Sequence, residues 1–92
     1  MLRFEWDPAK ARTNLAKHGV SFEEARDAFR DPFGLELLDD RFDYGEERFV
    51  LIARARARML TVIFVERDGA YRLISARAST KAEQDAYFEA QL

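Results

Sequence analysis

Apolar residues recur at two different periods in this chain, and the points where the period changes divide it into elements. In LRFEW, residues 2–6, Leu2, Phe4 and Trp6 alternate with charged residues, which predicts a short first strand. Asp7-Pro8 then predicts a helix start: the aspartate can accept free backbone N–H groups, and proline fits the first helical position. Ala11, Leu15 and His18 follow at helical spacing as the expected inward face, with Lys10, Arg12, Asn14 and Lys17 around them. Gly19 is placed to end this helix in the left-handed conformation. Ser21-Phe22-Glu23-Glu24 has capping-box spacing, and Phe22, Ala25 and Phe29 form one face of a second helix, closed by Asp31-Pro32.

From Phe33 onward the period is two. GLELLDD predicts a short strand, RFVLIARA a second, and LTVIFVE, apolar on both faces, a central one. Asp68-Gly69 is a hairpin signal leading into AYRLISARA, another strand. Thr80-Lys81-Ala82-Glu83 repeats the capping-box spacing ahead of a terminal helix, AEQDAYFEA. The order predicts an α+β fold: an N-terminal strand and two helices, then a largely antiparallel β-meander, then a C-terminal helix. The helices are expected on one face of the sheet.

Composition narrows the class. Ninety-two residues, 48% hydrophobic and 13% aromatic, predict one folded domain over residues 1–92. No run approaches the ~18 apolar residues of a membrane span, and MLRFEWD lacks the apolar core of a signal peptide. The expected location is the cytoplasm, with no membrane partner. With no cysteine there is no disulfide framework and no thiolate nucleophile or ligand. A lone histidine argues against a histidine-based metal centre, and the acidic clusters lack calcium-loop spacing. The expectation is a domain without metal or cofactor.

The formal charge of −2 hides a segregated field. Residues 1–47 hold 12 acids and 7 bases, whereas 48–92 hold 5 acids and 8 bases. Residues 36–47, ELLDDRFDYGEE, carry only Arg41 as a positive charge. Segregation of this kind concerns partners more than fold. In IARARAR, alternation places Arg54 with Val50 and Ile52, opposite Phe49, Leu51 and Ala53. Arg56 stays ambiguous, and Ala57-Arg58 is the expected hairpin tip. In the last strand, alternation groups Tyr71, Leu73, Ser75 and Arg77. Arg54, Arg67 and Arg77 could then converge on one sheet surface, provided the hairpin registers bring them there.

Arginine suits phosphate through its planar fork of donors and is almost never a base, since its pKa exceeds ~12. Such a trio points to binding a phosphodiester and stabilising its developing charge. Proton transfer needs other groups, and the candidates are Lys17, His18, Glu66, Lys81, Glu83 and Tyr87. Histidine has the best ordinary pKa for this work, ~6.5, yet His18 also suits packing or capping at the end of its helix.

Residues 4–29, FEWDPAKARTNLAKHGVSFEEARDAF, resemble the opening signature of BrnT toxins of BrnT/BrnA toxin–antitoxin systems. DYGEERFV, LTVIFVER and RLISARAST, with Glu83 and Tyr87, match in the same order. The resemblance implies a RelE-like fold and a metal-independent endoribonuclease that cleaves RNA and inhibits translation. It also implies a cognate BrnA-like antitoxin that binds operator DNA, so that the toxin meets DNA only through a toxin–antitoxin hetero-oligomer. Taken together with the charge chemistry above, the matching pattern gives an expected catalytic set of Arg67, Arg77, Lys17 and Tyr87, with Arg54, His18 and Lys81 binding RNA. Two departures stand out: Ala53-Arg54-Ala55 replaces the family's usual Gly-Arg-Ser step, and the terminal helix has only Lys81 against three acids. They suit the second reading, a weak or inactive toxin homologue that acts mainly as an antitoxin-binding and autoregulation module.

Overall fold

A computed structural model describes all residues except Met1, Phe42 and Tyr44. The elements are β1 (Arg3–Glu5), α1 (Pro8–His18), α2 (Phe22–Asp27) with a 3-10 turn at Ala28–Arg30, and β2 (Leu35–Asp39). After the acidic loop come β3 (Arg48–Ala55), β4 (Arg58–Arg67), β5 (Ala70–Ala78) and α3 (Lys81–Glu89). One mixed sheet has the order β1-β5-β4-β3-β2, with β1 parallel to β5 and all other neighbours antiparallel. The α+β class and element order expected from the pattern are observed. Phe42 and Tyr44 of the acidic stretch lie outside the described residues.

Local signals explain the helix ends. Asp7 Oδ1 accepts the Ala9 N–H at 2.9 Å, and Gly19, with φ of 68°, sends its N–H to the Leu15 carbonyl. Ser21 Oγ accepts the Glu24 N–H at 3.0 Å, but the Glu24 carboxylate is turned to Arg58 instead of completing a capping box. At α3 both halves of the box are made: Thr80 Oγ1 accepts the Glu83 N–H, and Glu83 Oε1 accepts the Thr80 N–H. The turn Asp68-Gly69 has positive φ at both residues, as a two-residue hairpin loop favours.

Pleating divides the sheet into two faces. Leu51, Ala53, Leu60, Val62, Phe64, Leu73 and Ala76 pack against Val20, Phe22, Ala25 and Ala28 from the α1–α2 side. Phe29 meets Phe4 and Phe64 edge-on, with ring centroids 5.0 Å apart in each pair. The expectation of all helices on one face is corrected here. α3 lies on the opposite face, where Ala82, Glu83 and Ala86 share a groove with Val50, Ile52, Thr61 and Ile63. A helix after β5 has to cover those apolar residues, because α1 and α2 already occupy the other side.

Two further expectations change. The inward face of α1 is not Leu15 and His18, which are exposed, but Ala11 and the buried Asn14. The β3–β4 tip is Arg56-Ala57, because Ala55 pairs with Arg58. Arg56 takes a φ of 56° and bonds to Asp27 at 2.7 Å. Arg58 opens β4 and is no loose turn charge: it makes a two-point pair with Glu24 and donates to the Gly19 carbonyl, each bond 2.8 Å.

Candidate functional site

A β-bulge decides where Arg77 points. Ile63 opposes Ser75 while Phe64 opposes Leu73, so Ile74 is an extra residue in β5. Unbroken alternation groups Ser75 and Arg77 with the core residues Tyr71 and Leu73; the bulge moves both onto the α3 face, where Arg77 opposes Thr61. There its Nη1 and Nη2 donate to Glu83 Oε1 and Oε2 at 2.7 and 2.8 Å. Glu83 also accepts from the Thr61 hydroxyl, which is 2.9 Å from the Ser79 hydroxyl. The Arg77 hydrogen bonds overcome partial burial and hold the Glu83 carboxyl down to about 2. Both groups are charged at neutral pH, and the pairing with Arg77 makes Glu83 a weak base.

The arginine trio does not converge. Arg67 shares the α3 face, but it ends β4, six positions beyond Thr61, which is about 20 Å at ~3.4 Å per residue. It pairs instead with Glu46, at 2.9 Å. Arg54 opposes Met59 and so lies at the same end of the sheet as Arg77. Its guanidinium sits 5.6 Å from the centre of the Phe88 ring of α3 and, among the described residues, makes no ion pair. Lys81, at the start of α3, is exposed and pairs with Asp85 at 2.6 Å.

Tyr87 is placed unlike a proton carrier. Its side chain is 2% exposed and its hydroxyl donates to Asp31 Oδ2 at 2.7 Å. The same oxygen accepts the Arg54 backbone N–H at 2.9 Å, while Oδ1 accepts that of Phe33. Burial, then the bond to Asp31, push the phenol above its ordinary value. Burial would also raise Asp31, but the hydrogen bonds from Tyr87 and the two amides outweigh it and keep the carboxylate ionised. Tyr87 and Asp31 fasten α3 to the start of the Arg54 segment.

What the structure does bring together is a groove between α1 and β5. Lys10, Thr13, Lys17 and His18 line one wall, Ile74 and Ser75 the other, and Asn14 the floor. β1 covers β5 only over Ala70–Arg72, so the remaining edge of β5 needs another partner. Asn14 provides it: Nδ2 donates to the Ala76 carbonyl at 2.8 Å and Oδ1 accepts the Ala76 N–H at 3.1 Å. Nδ2 also donates to the Val20 carbonyl. Arg77 stands two residues beyond Ser75 on the same strand and face.

Most strand arginines are paired and the cations of α1 are not, although Arg3, Arg26, Arg30 and Arg54 likewise make no ion pair among the described residues. Arg41, Arg56, Arg58, Arg67, Arg72, Arg77 and Lys81 each have a carboxylate partner. α1 carries no acidic residue, and its Lys10, Arg12, Lys17 and His18 make no ion pair among the described residues. Of the expected site residues, Lys17 and His18 line the groove, Arg77 adjoins it on β5, and Lys81 begins the helix that holds Arg77. Sequence reasoning passed over Lys10, Thr13, Ser75 and the task of Asn14. The available hint was Asn14 itself, a weak helix former at mid-helix. Among the described residues, no three His, Asp or Glu side chains are grouped to hold a metal ion. No helix is long and apolar enough to cross a membrane.

No curated protein matches the chain. Among known families, residues 6–83 match that described as "Ribonuclease toxin, BrnT, of type II toxin-antitoxin system". The match begins at Trp6, just after β1, and takes in both N-terminal helices, the whole meander and the Arg77–Glu83 pair, and the chain therefore belongs to the BrnT family of ribonuclease toxins, whose systems pair each toxin with an antitoxin.

Proposed function

We propose that this chain is a metal-independent endoribonuclease that inhibits translation by cutting RNA along the α1–β5 groove. One observation carries the reading: Lys10, Arg12, Lys17 and His18 gather on one helix that has no acidic residue, and none of them makes an ion pair among the described residues. A polyanion gains most where positive charge is not already spent on a carboxylate. Lys10 and Lys17 hold the backbone, with Arg54, unpaired among the described residues, binding a flanking phosphate at the α3 end and the exposed Lys81 exchanging Asp85 for another. At the scissile phosphate, His18 accepts the ribose 2′-hydroxyl proton and the 2′-oxygen attacks phosphorus. The bond to the 5′-oxygen breaks, Lys17 supplies the proton to that leaving oxygen, and a 2′,3′-cyclic phosphate results. Arg77 stabilises the charge on the non-bridging oxygens. Arg67, about 20 Å along β4, and the buried Tyr87 stay outside this centre. A BrnA-like antitoxin neutralises the toxin in a hetero-oligomer and carries it to operator DNA.

The test is cleavage of single-stranded RNA in EDTA by wild-type protein beside Lys17→Ala, His18→Ala and Arg77→Ala. Cleavage with cyclic-phosphate ends is expected, and losing one of these groups lowers the rate by ~10²–10³. Folded wild-type protein that leaves RNA intact, with and without ribosomes, and still binds its antitoxin would establish the second reading, an antitoxin-binding module.

A further inference from the structure

The edge strand β2 has features that neither RNA cleavage nor the fold uses. It is the last strand in the sheet order, so among the described residues its outer backbone edge has no strand neighbour. Its five pairs with β3 run without a register shift. The strand reads LELLD, with no lysine, proline or bulge, the usual devices that stop an edge from recruiting another strand. Leu37 and Leu38 are 47% and 52% exposed. Adjacent strand residues point to opposite faces, so these two leave apolar surface on both sides of the edge. Leu37 pairs with Val50 and Leu38 with Phe49, and both reach the rim of the groove under α3.

The geometry points to β2 as the docking edge for an extended segment of the cognate antitoxin, added as a sixth strand. This rests on the toxin–antitoxin reading and goes beyond it by naming the surface and the conformation of the partner. A helix laid in the groove beside α3 reaches both leucines at its rim but leaves the outer N–H and C=O groups of β2 unpaired. An added strand pairs those groups and covers both leucines, because its own side chains alternate across the two faces. Charge sets the composition. Residues 36–47 carry Glu36, Asp39, Asp40, Asp43, Glu46 and Glu47 against the single Arg41. That field repels RNA and favours a segment in which basic residues alternate with apolar ones. The groove proposed for RNA lies at the β5 edge, with β4 and β3 between it and β2. The Lys10–Lys17 groove thus lies at one side of the sheet and the antitoxin-binding edge at the other, while Arg77 and Leu37 both line the groove under α3 between them.

Two measurements on the full-length chain and the full-length cognate antitoxin test this. Hydrogen exchange at the amides of residues 36–38 is expected to slow at least tenfold in the complex. Leu37→Lys and Leu38→Lys, each with an unchanged melting temperature, are both expected to weaken binding at least tenfold. Loss of affinity in both variants with exchange at residues 36–38 unchanged would overturn the added strand in favour of a helix in the groove. Unchanged exchange at residues 36–38 in a formed complex, with affinity kept in both variants, would place the antitoxin elsewhere and also overturn it. Protection of these amides by a single-stranded oligouridylate would assign the edge to nucleic acid instead. Absence of any complex would overturn this proposal together with the antitoxin reading, whereas inactivity toward RNA with both β2 results intact would overturn the ribonuclease reading alone.

Discussion

Asn14 and Ala76 are joined by a pair of hydrogen bonds of 2.8 and 3.1 Å, in which a helix side chain takes the place of a neighbouring strand. The bonds fall just past the bulge at Ile74, where β1 no longer reaches. They set the distance between α1, which carries Lys17 and His18, and the strand that carries Ser75 and Arg77. The groove proposed for RNA and the stability of the fold therefore share one buried amide.

Asn14→Ala removes three hydrogen bonds and leaves the Ala76 N–H and C=O and the Val20 C=O buried without those partners. Each orphaned group costs about 1–3 kcal/mol, and partial relaxation brings the expected loss to about 2–3 kcal/mol. Urea unfolding monitored by Trp6 fluorescence measures it. An unchanged midpoint would mean that α1 is held by its apolar contacts alone.

The Arg77–Glu83 pair predicts acid sensitivity of a defined sign. The Glu83 carboxyl lies at about 2 in the fold against an ordinary 4.5, chiefly through its bonds with Arg77. Its contribution to stability is complete above pH 4.5 and declines as the pH falls toward 2. Glu83→Gln removes that dependence at the cost of about 1–2 kcal/mol at neutral pH, solvent screening of the half-exposed pair included. Unfolding midpoints from pH 6 to pH 2.5 should converge for the two proteins at the acid end. Parallel curves would show that the pair carries no linked stability.

Arg58 ties the start of β4 to both ends of the α1–α2 connection, through Glu24 and the Gly19 carbonyl. Its side chain is 41% exposed, so solvent screening limits the expected loss in Arg58→Ala to about 1 kcal/mol. Arg67→Ala breaks a more exposed pair and should leave the unfolding midpoint unchanged. Equal effects of the two substitutions would remove the distinction between a structural arginine and a surface one.

Elements were legible where one local device decides them: Asp7-Pro8 and Gly19 around α1, Thr80 and Glu83 at α3, Asp68-Gly69 between β4 and β5. The central strand and the apolar face of Leu51 and Ala53 were equally plain. What escaped depends on contacts remote in sequence. No alternation rule reveals that Ile74 is surplus, because a bulge is fixed by the partner strand; yet that residue decides whether Arg77 faces core or solvent. Leu15 looked like the better inward residue until the bare edge of β5 required an amide, which made Asn14 buried. The side of the sheet taken by α3 followed from which face the first two helices had filled. Arg67 matched the other arginines in type and face, but strand length separated it from them.

The groove assignment makes a quantitative claim about salt. Each Lys that neutralises a phosphate of single-stranded RNA contributes ~0.7 to the slope of log affinity against log salt concentration. Lys10→Ala and Lys17→Ala should each lower that slope by ~0.7, and by about twice that together, since both side chains line the groove and neither makes an ion pair among the described residues. Arg67→Ala should leave the slope where it was, because its charge is already matched by Glu46 at the far end of β4. A 2′-O-methyl oligonucleotide, which lacks the attacking hydroxyl, allows binding to be titrated without cleavage. If the lysine variants keep the wild-type slope while Arg67→Ala lowers it, RNA lies at the opposite end of the sheet and the groove between α1 and β5 is not its path.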